Sequence, residues 1–409
     1  MKYLTLILAV TFLLLGKLNA QNSELQFNSN INIQSNGLNS NILNTFLYGG
    51  FINQELKDKW INASKVNNII NGEITNEINY NIKFIKSDLT FLISDKNHIN
   101  INLRQDMLKL ILNGNSTYQE QLLEFDNSSL RATRYQQFKI GYNFHLRKNK
   151  IKFGASYLRG NHNISLLINK GTLYTDLNGQ NIDLNYDIQG FSTDTSSYNI
   201  FNNNGHGMAI DFATKISVGK SLINLYVKDL GFIKWNNNSI NSFVDSSYNY
   251  SGIFIEDLYN FNDSLINFED NFNYVINQNQ YKSYIAADLG INFEKKFKLK
   301  KIKKIIVGIN AKWHPLFDNN KLNFAKIKQG IIESNYKPQV FIITEIPRNN
   351  FDIISKIYYG GYVEDINLDV ALKIERKISL ILGTQSINQI ISKNNRRFFS
   401  LYLRIIKKF

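Results

Sequence analysis

Phe138-Lys139-Ile140-Gly141-Tyr142-Asn143-Phe144-His145-Leu146 decides how this chain is read. Large apolar side chains stand at 138, 140, 142, 144 and 146, and polar or small ones stand between them. A period of two belongs to a strand, because successive side chains of an extended backbone leave opposite faces. A helix would repeat at three and four instead.

Working outward, the same alternation recurs in both directions. Ile74, Ile78, Tyr80, Ile82 and Phe84 share one parity upstream, and Ile151, Phe153, Ala155 and Tyr157 follow downstream. Met208, Ile210, Phe212, Ile216 and Val218 repeat it, as do Ile223, Leu225 and Val227. The last third adds Ile285 to Phe293, Ile305 to Trp313, Ile366 to Ile374, and a closing segment Phe399, Leu401, Leu403, Ile405 and Phe409. Only three prolines interrupt 409 residues, and 13% of the chain is aromatic, a composition for many strands and against disorder.

A secreted β-sandwich alternates too, with its apolar face inward. Three features favour a membrane barrel: an N-terminal export signal, segments that often reach about ten residues, and an aromatic residue closing the last strand. The pattern is therefore turned inside out, with apolar residues facing lipid and the alternate parity facing a lumen. The expected fold is all-β, a single antiparallel transmembrane β-barrel of about 14 strands (range 12–16). Short helices are expected in connecting segments at residues 54–64 and 104–113, the second capped at Asn113-Gly114. Long Asn- and Ser-rich stretches at 193–205 and 255–280 read as loops.

The inward parity supplies the candidate lumen-lining residues. They are Lys139, Asn143, His145, Asp211, Lys215, Tyr226, Lys228, Asp288, Asn310, Lys312, Asp369 and Lys373. Trp235, Trp313 and Phe409 are candidates for the membrane–water boundary, where an aromatic ring keeps one side in the apolar layer.

Residues 1–20 read as a signal peptide: a basic Met1-Lys2, an apolar run from Leu4 to Leu15, and a small Ala20. Residues 21–409 then form the barrel domain, in the outer membrane. No later apolar run is long enough for a spanning helix, and the chain has no cysteine for disulfides, thiolate metal sites or a lipid anchor. Formal charge is +14, or +12 once Lys2 and Lys17 leave with the signal. Seven lysines crowd between Lys295 and Lys304. Export argues against nucleic acid as their partner, and a solvated or headgroup-facing turn fits better.

The five histidines are scattered, and none sits at a ligand spacing or beside a marked serine, so no catalytic, metal or cofactor site is expected. Expected partners are membrane lipid and lipopolysaccharide, with an envelope protein as a further one.

Four local patterns carry a resemblance. They are Lys228-Asp229-Leu230-Gly231-Phe232-Ile233-Lys234-Trp235, then Tyr248-Asn249-Tyr250-Ser251-Gly252-Ile253, Leu112-Asn113-Gly114-Asn115, and Tyr359-Gly360-Gly361-Tyr362. The chain resembles an uncharacterised domain-of-unknown-function family of Bacteroidota outer-membrane β-barrel proteins. The resemblance implies a barrel in the outer membrane and carries over no site residues. Two functions remain open: a pore or transport-type barrel with a polar lumen, and a non-transporting scaffold barrel of an envelope assembly serving secretion or surface motility. A polar inner parity counts against a carrier of fatty or aromatic compounds.

Overall fold

A computed structural model describes residues 23–37, 45, 49–193, 202–250, 275–299, 302–316, 324–391 and 398–409. The segment read as a signal peptide lies outside them, as do most of the two stretches read as loops. β1 (Ser23–Ser35), β2 (Asn67–Lys83) and β3 (Ser87–Arg104) are followed by β4 (Leu122–Glu124), β5 (Ser129–Leu146) and β6 (Asn149–Thr175). Then come β7 (Ile182–Ser192), β8 (Gly205–Val218), β9 (Ser221–Trp235) and β10 (Ile240–Tyr250). β11 (Val275–Gln278) and β12 (Lys282–Tyr284) precede β13 (Ala287–Leu299). The last six are β14 (Ile302–Trp313), β15 (Lys337–Pro347), β16 (Asp352–Gly361), β17 (Ile366–Glu375), β18 (Ile378–Thr384) and β19 (Phe398–Lys408).

These elements make a closed antiparallel barrel of 14 wall strands. Several wall strands are interrupted. β7 pairs with the far half of β6 and β8 with its near half, so the two continue one line. β9 and β10 likewise follow one another along β8 and β7, and β11, β12 and β13 run along β10 and β9. β4 continues the line of β5 along β6. The ladder closes where β19 pairs with β1, from Glu24↔Lys408 to Gln34↔Phe398.

The two rims differ. Every second connection is short, such as residues 84–86, 147–148, 219–220, 348–351 and 376–377, and these lie at the end that also holds Ser23 and Phe409. The opposite rim carries the long connections and the helices α1 (Gln54–Ala63), α2 (Gln105–Asn113), α3 (Phe324–Glu333) and α4 (Ile387–Ile391). Asn53 caps α1 by accepting from the Leu56 amide at 2.9 Å, and α2 stops at Gly114, whose φ is +74°. Trp60 and Leu108 pack α1 against α2, while Leu123, Phe125 and Ile168 seat α2 on the barrel side. Among the described residues no helix is long and apolar enough to cross a membrane.

The wall is inverted relative to a soluble protein. Ile140, Phe153, Met208 and Ile210 are each more than half exposed on the outer face, and comparable side chains continue on β13 to β19. Inward positions are buried and mostly polar: Gln137 and Lys139 on β5, Ser156 on β6, Asp211 on β8.

One interior region is apolar. Leu158, Ala209, Ile233, Trp235 and Ile285 pack with Tyr135 and Tyr281. Trp235 reaches this cluster because the β8–β9 ladder slips between Ile210 and Phe212, giving β9 one extra residue at Asp229, where φ is +57°. Such a bulge reverses the parity of everything beyond it. Gly231 sits in the bent strand against the Met208 carbonyl and Ala209, with no room for a Cβ. The expectation that Trp235 lies at a membrane–water boundary is corrected: its exposure is 0%, and its Nε1 donates to Ser283 Oγ at 2.8 Å. Trp313 is corrected as well, being buried edge-on against Tyr284.

Two measurements check this architecture. The folded protein should migrate faster than the boiled one in detergent electrophoresis, and a soluble, heat-insensitive product would contradict the barrel. Trp235→Ala should lower stability in a urea titration by about 3–5 kcal/mol, and a loss below about 1 kcal/mol would mean the ring is not packed in the interior.

Candidate functional site

Closure forces the inward polar side chains to satisfy one another, since buried charges are tolerated only when paired. They do so across the barrel interior. Glu73 on β2 and Lys312 on β14 meet at 2.6 Å. Six wall strands separate β2 from β14 in either direction, so this pair spans the interior from one side to the other. His98 on β3 stands 3.8 Å from the same carboxylate, and Asp288 stands 3.8 Å from the same ammonium group.

A second cluster centres on the β9 bulge. Asp229 receives Lys96 from β3 at 2.8 Å, Lys139 from β5 at 2.8 Å, and the Gln137 amide at 2.7 Å. Lys139 also reaches Asp211 at 2.6 Å, and the Asp211 carboxylate accepts the Asp229 amide at 2.8 Å. The bulge thus aims both the main chain and the side chain of Asp229 into the lumen.

The Glu73–Lys312 strut separates two cavities. The larger, about 340 Å³, is bounded mainly by β2, β3, β5, β9 and β13 and includes both ion clusters. The smaller, about 230 Å³, lies against β1 and β14 to β17, with Asn32, Gln339 and Asp369 on its wall. Glu73, Lys228, Asp288 and Lys312 border both. Five lysines and five carboxylates line the larger cavity, and three of each line the smaller.

Toward the long-loop rim the interior is filled. Arg131 Nη1 donates to the His314 carbonyl at 2.9 Å, and His314 Nε2 donates to the Tyr284 carbonyl at 3.1 Å. The His98 and His314 rings lie 5.2 Å apart, and Asn335 donates to Asn100 at 2.6 Å. Burial first, and the Arg131 cation next, hold His314 well below the usual imidazole range, while burial raises Tyr336 and Tyr362 above the phenol range. These connecting groups therefore stay neutral and act through hydrogen bonds. At the short-turn rim, Lys303, Lys304 and Lys373 surround Glu345, and His145 faces Asp88 at 3.0 Å.

The lumen candidates fall at three levels. Lys139, Asp211, Lys228, Asp288 and Lys312 lie at the central ion layer. Tyr226, Asn310 and Asp369 line the smaller cavity, where Lys228 covers the Tyr226 ring at 4.8 Å and the Tyr336 hydroxyl donates to Asn310 at 3.1 Å. Asn143, His145, Lys215 and Lys373 stand near the short-turn rim, Lys215 being exposed there. Phe409 is exposed, and its amide donates to the Ser23 carbonyl at 2.9 Å. Glu73 and Lys96 were not among the candidates, although Glu73 shares the inward parity of its strand. Asp229 was hidden by the bulge, since unbroken alternation assigns the inward place to its neighbour Lys228. Among the described residues no group of three or more histidines and carboxylates could hold a metal.

A family model described as a family of unknown function, DUF5723, matches residues 16–353, and the chain belongs to that family. No curated protein matches it in sequence. Among solved structures, it is similar to the Ralstonia pickettii toluene transporter TbuX at 6% identity and a TM-score of 0.44, over 95% of this chain and 90% of that one. The Pseudomonas putida toluene transporter TodX is similar at 6% identity and a TM-score of 0.36, over 96% and 89%. The translocator domain of autotransporter NalP from Neisseria meningitidis is similar at 8% identity and a TM-score of 0.34, over 98% and 92%.

Removing one member of a buried charge cluster leaves the others uncompensated. Asp229→Ala should therefore cost about 3–5 kcal/mol in urea unfolding from vesicles, and adding Lys96→Met should recover part of that loss. A single variant as stable as the parent would show that the cluster does not hold the interior together.

Proposed function

We propose that this DUF5723 protein is an outer-membrane barrel of transport type, which conducts small polar solutes without net charge and is held closed by the Glu73–Lys312 strut. The belt of exposed Ile, Phe and Leu side chains supports insertion in a membrane, because a soluble protein does not display so continuous an apolar surface. A closed barrel meets the demand that no main-chain polar group be left open to lipid. The export signal read at residues 1–20 supports the outer membrane, with the short turns toward the periplasm.

The observation that carries the transport reading is the pair of cavities whose common border is the charged group Glu73, Lys228, Asp288 and Lys312, with the Glu73–Lys312 ion pair across it. A rigid structural barrel gains nothing from leaving space lined by charged groups. A polar solute that hydrogen-bonds to Glu73 or Lys312 offers each ion a substitute partner, and the strut then parts without stranding a buried charge. Equal numbers of lysines and carboxylates give neither cavity a preference for anions or cations.

The scaffold reading draws on one observation, the side-chain filling below the long-loop rim. Liposome swelling in glycine or arabinose separates the two. The parent protein should admit solute slowly, and the Glu73→Ala/Lys312→Ala variant should admit it at least about tenfold faster while keeping heat-modifiable migration; a tenfold rate corresponds to about 1.4 kcal/mol of barrier. Folded parent and variant proteins that both exclude solute would overturn transport and leave the scaffold barrel standing.

A further inference from the structure

The net positive charge of this chain has a place. At the short-turn rim, each described turn presents exposed cations: Lys86 between β2 and β3, Lys148 between β5 and β6, Lys220 between β8 and β9, Lys296 near the end of β13, Arg348 between β15 and β16, and Lys377 between β17 and β18. Among the described residues of that rim, Glu375 is the only exposed acidic side chain. Glu24 is taken by Lys83, Asp88 by His145, and Glu345 and Asp352 by Lys303 and Lys373. Among the described residues the opposite rim shows no such bias, with Glu55, Asp58, Glu120 and Glu124 exposed among its cations.

We propose that this cationic rim binds the anionic phospholipid headgroups of the membrane leaflet around it. The idea rests on the membrane reading above and adds a lipid preference to it. Two observations favour lipid over a protein partner. The cations are distributed around the whole circumference, which suits an annulus of headgroups, whereas a docked protein would cover one sector. The β2–β3 turn also exposes Phe84 and Ile85, the latter at 97%, next to Lys86. An apolar tip beside a cation suits the boundary between acyl chains and phosphates, where lysine stems lie along apolar surface and their ammonium groups reach the headgroups. Charges spaced within a Debye length act together on such a surface.

Native mass spectrometry of the full chain, offered equal amounts of phosphatidylglycerol and phosphatidylcholine, provides the test. A cation near a charged leaflet contributes about 1 kcal/mol, so phosphatidylglycerol should be retained about fivefold over phosphatidylcholine. A variant with the six named cations changed to glutamine should lose the preference, as should the parent at high salt. Equal retention of both lipids by the parent overturns the proposal, and so does an unchanged preference in the variant, which would put the lipid elsewhere. Crosslinking in cells from position 148 that captures an acidic protein in place of lipid also overturns it. Insertion into pure phosphatidylcholine vesicles, read by heat-modifiable migration, is scored separately. Failure there removes the membrane reading itself, whereas insertion without lipid preference removes only the headgroup proposal.

Discussion

The ladder between β1 and β19 turns a long sheet into a barrel, and the rest of the structure depends on it. Closure leaves no strand edge and therefore no row of unpaired main-chain groups. It also fixes which parity is enclosed. With Ile140, Phe153 and Ile210 outside, the alternate positions are enclosed whether or not they are polar, and here most of them are. An enclosed lysine cannot remain unpaired at acceptable cost. The same closure brings partners from opposite walls within reach, as with Glu73 and Lys312.

The interior is consequently organised by charge pairing more than by apolar packing, and the two meet at the β9 bulge. Asp229 turns inward as an acceptor for two lysines and an amide, while the parity reversal it causes sends Ile233 and Trp235 inward behind it. A single inserted residue thus supplies the centre of the polar cluster and the anchor of the apolar one. β6 makes a matching adjustment at Asn161, where its ladder with β5 slips and Ser165 becomes an inward residue in place of an even-numbered one. The two bulges lie on the strands that flank β8, and from the one on β6 onward the inward residues are Asn161, Asn163 and Ser165.

How much of this was legible follows from the same geometry. Alternation over residues 138–146 sufficed for strand type and for the sorting of its two faces, because the period survives wherever the ladder is regular. Barrel over sandwich needed the export signal, the segment lengths and the closing aromatic residue as well. The inward places of Lys139, Asp288 and Lys312 followed from it. A bulge erases that information locally: Trp235 and Asp229 lie beyond or within one, and no residue type marks the slip. Trp313 failed for another reason, since α3 folds back until Gly330 lies against its indole ring, a tertiary contact that no local pattern announces. Pairings such as Glu73 with Lys312 were illegible because they join residues 239 positions apart through the barrel's circumference. Parity could list the enclosed charges but could not say which would meet.

The charge balance of the two regions bears on what the net charge means. A surplus of +14 in a barrel-forming sequence invites the view that the lumen attracts anions. Both cavities instead carry equal numbers of lysines and carboxylates, and Lys96, Lys139 and Lys312 are held there in ion pairs. The surplus is therefore excluded from the interior by the same desolvation cost that built the ion layer. It collects where water or headgroups can solvate it, at turns such as Arg147-Lys148 and Arg376-Lys377. Net charge in this protein accordingly describes its rim, and the chemistry of the interior is set by the shape and hydrogen bonding of two electrically balanced cavities.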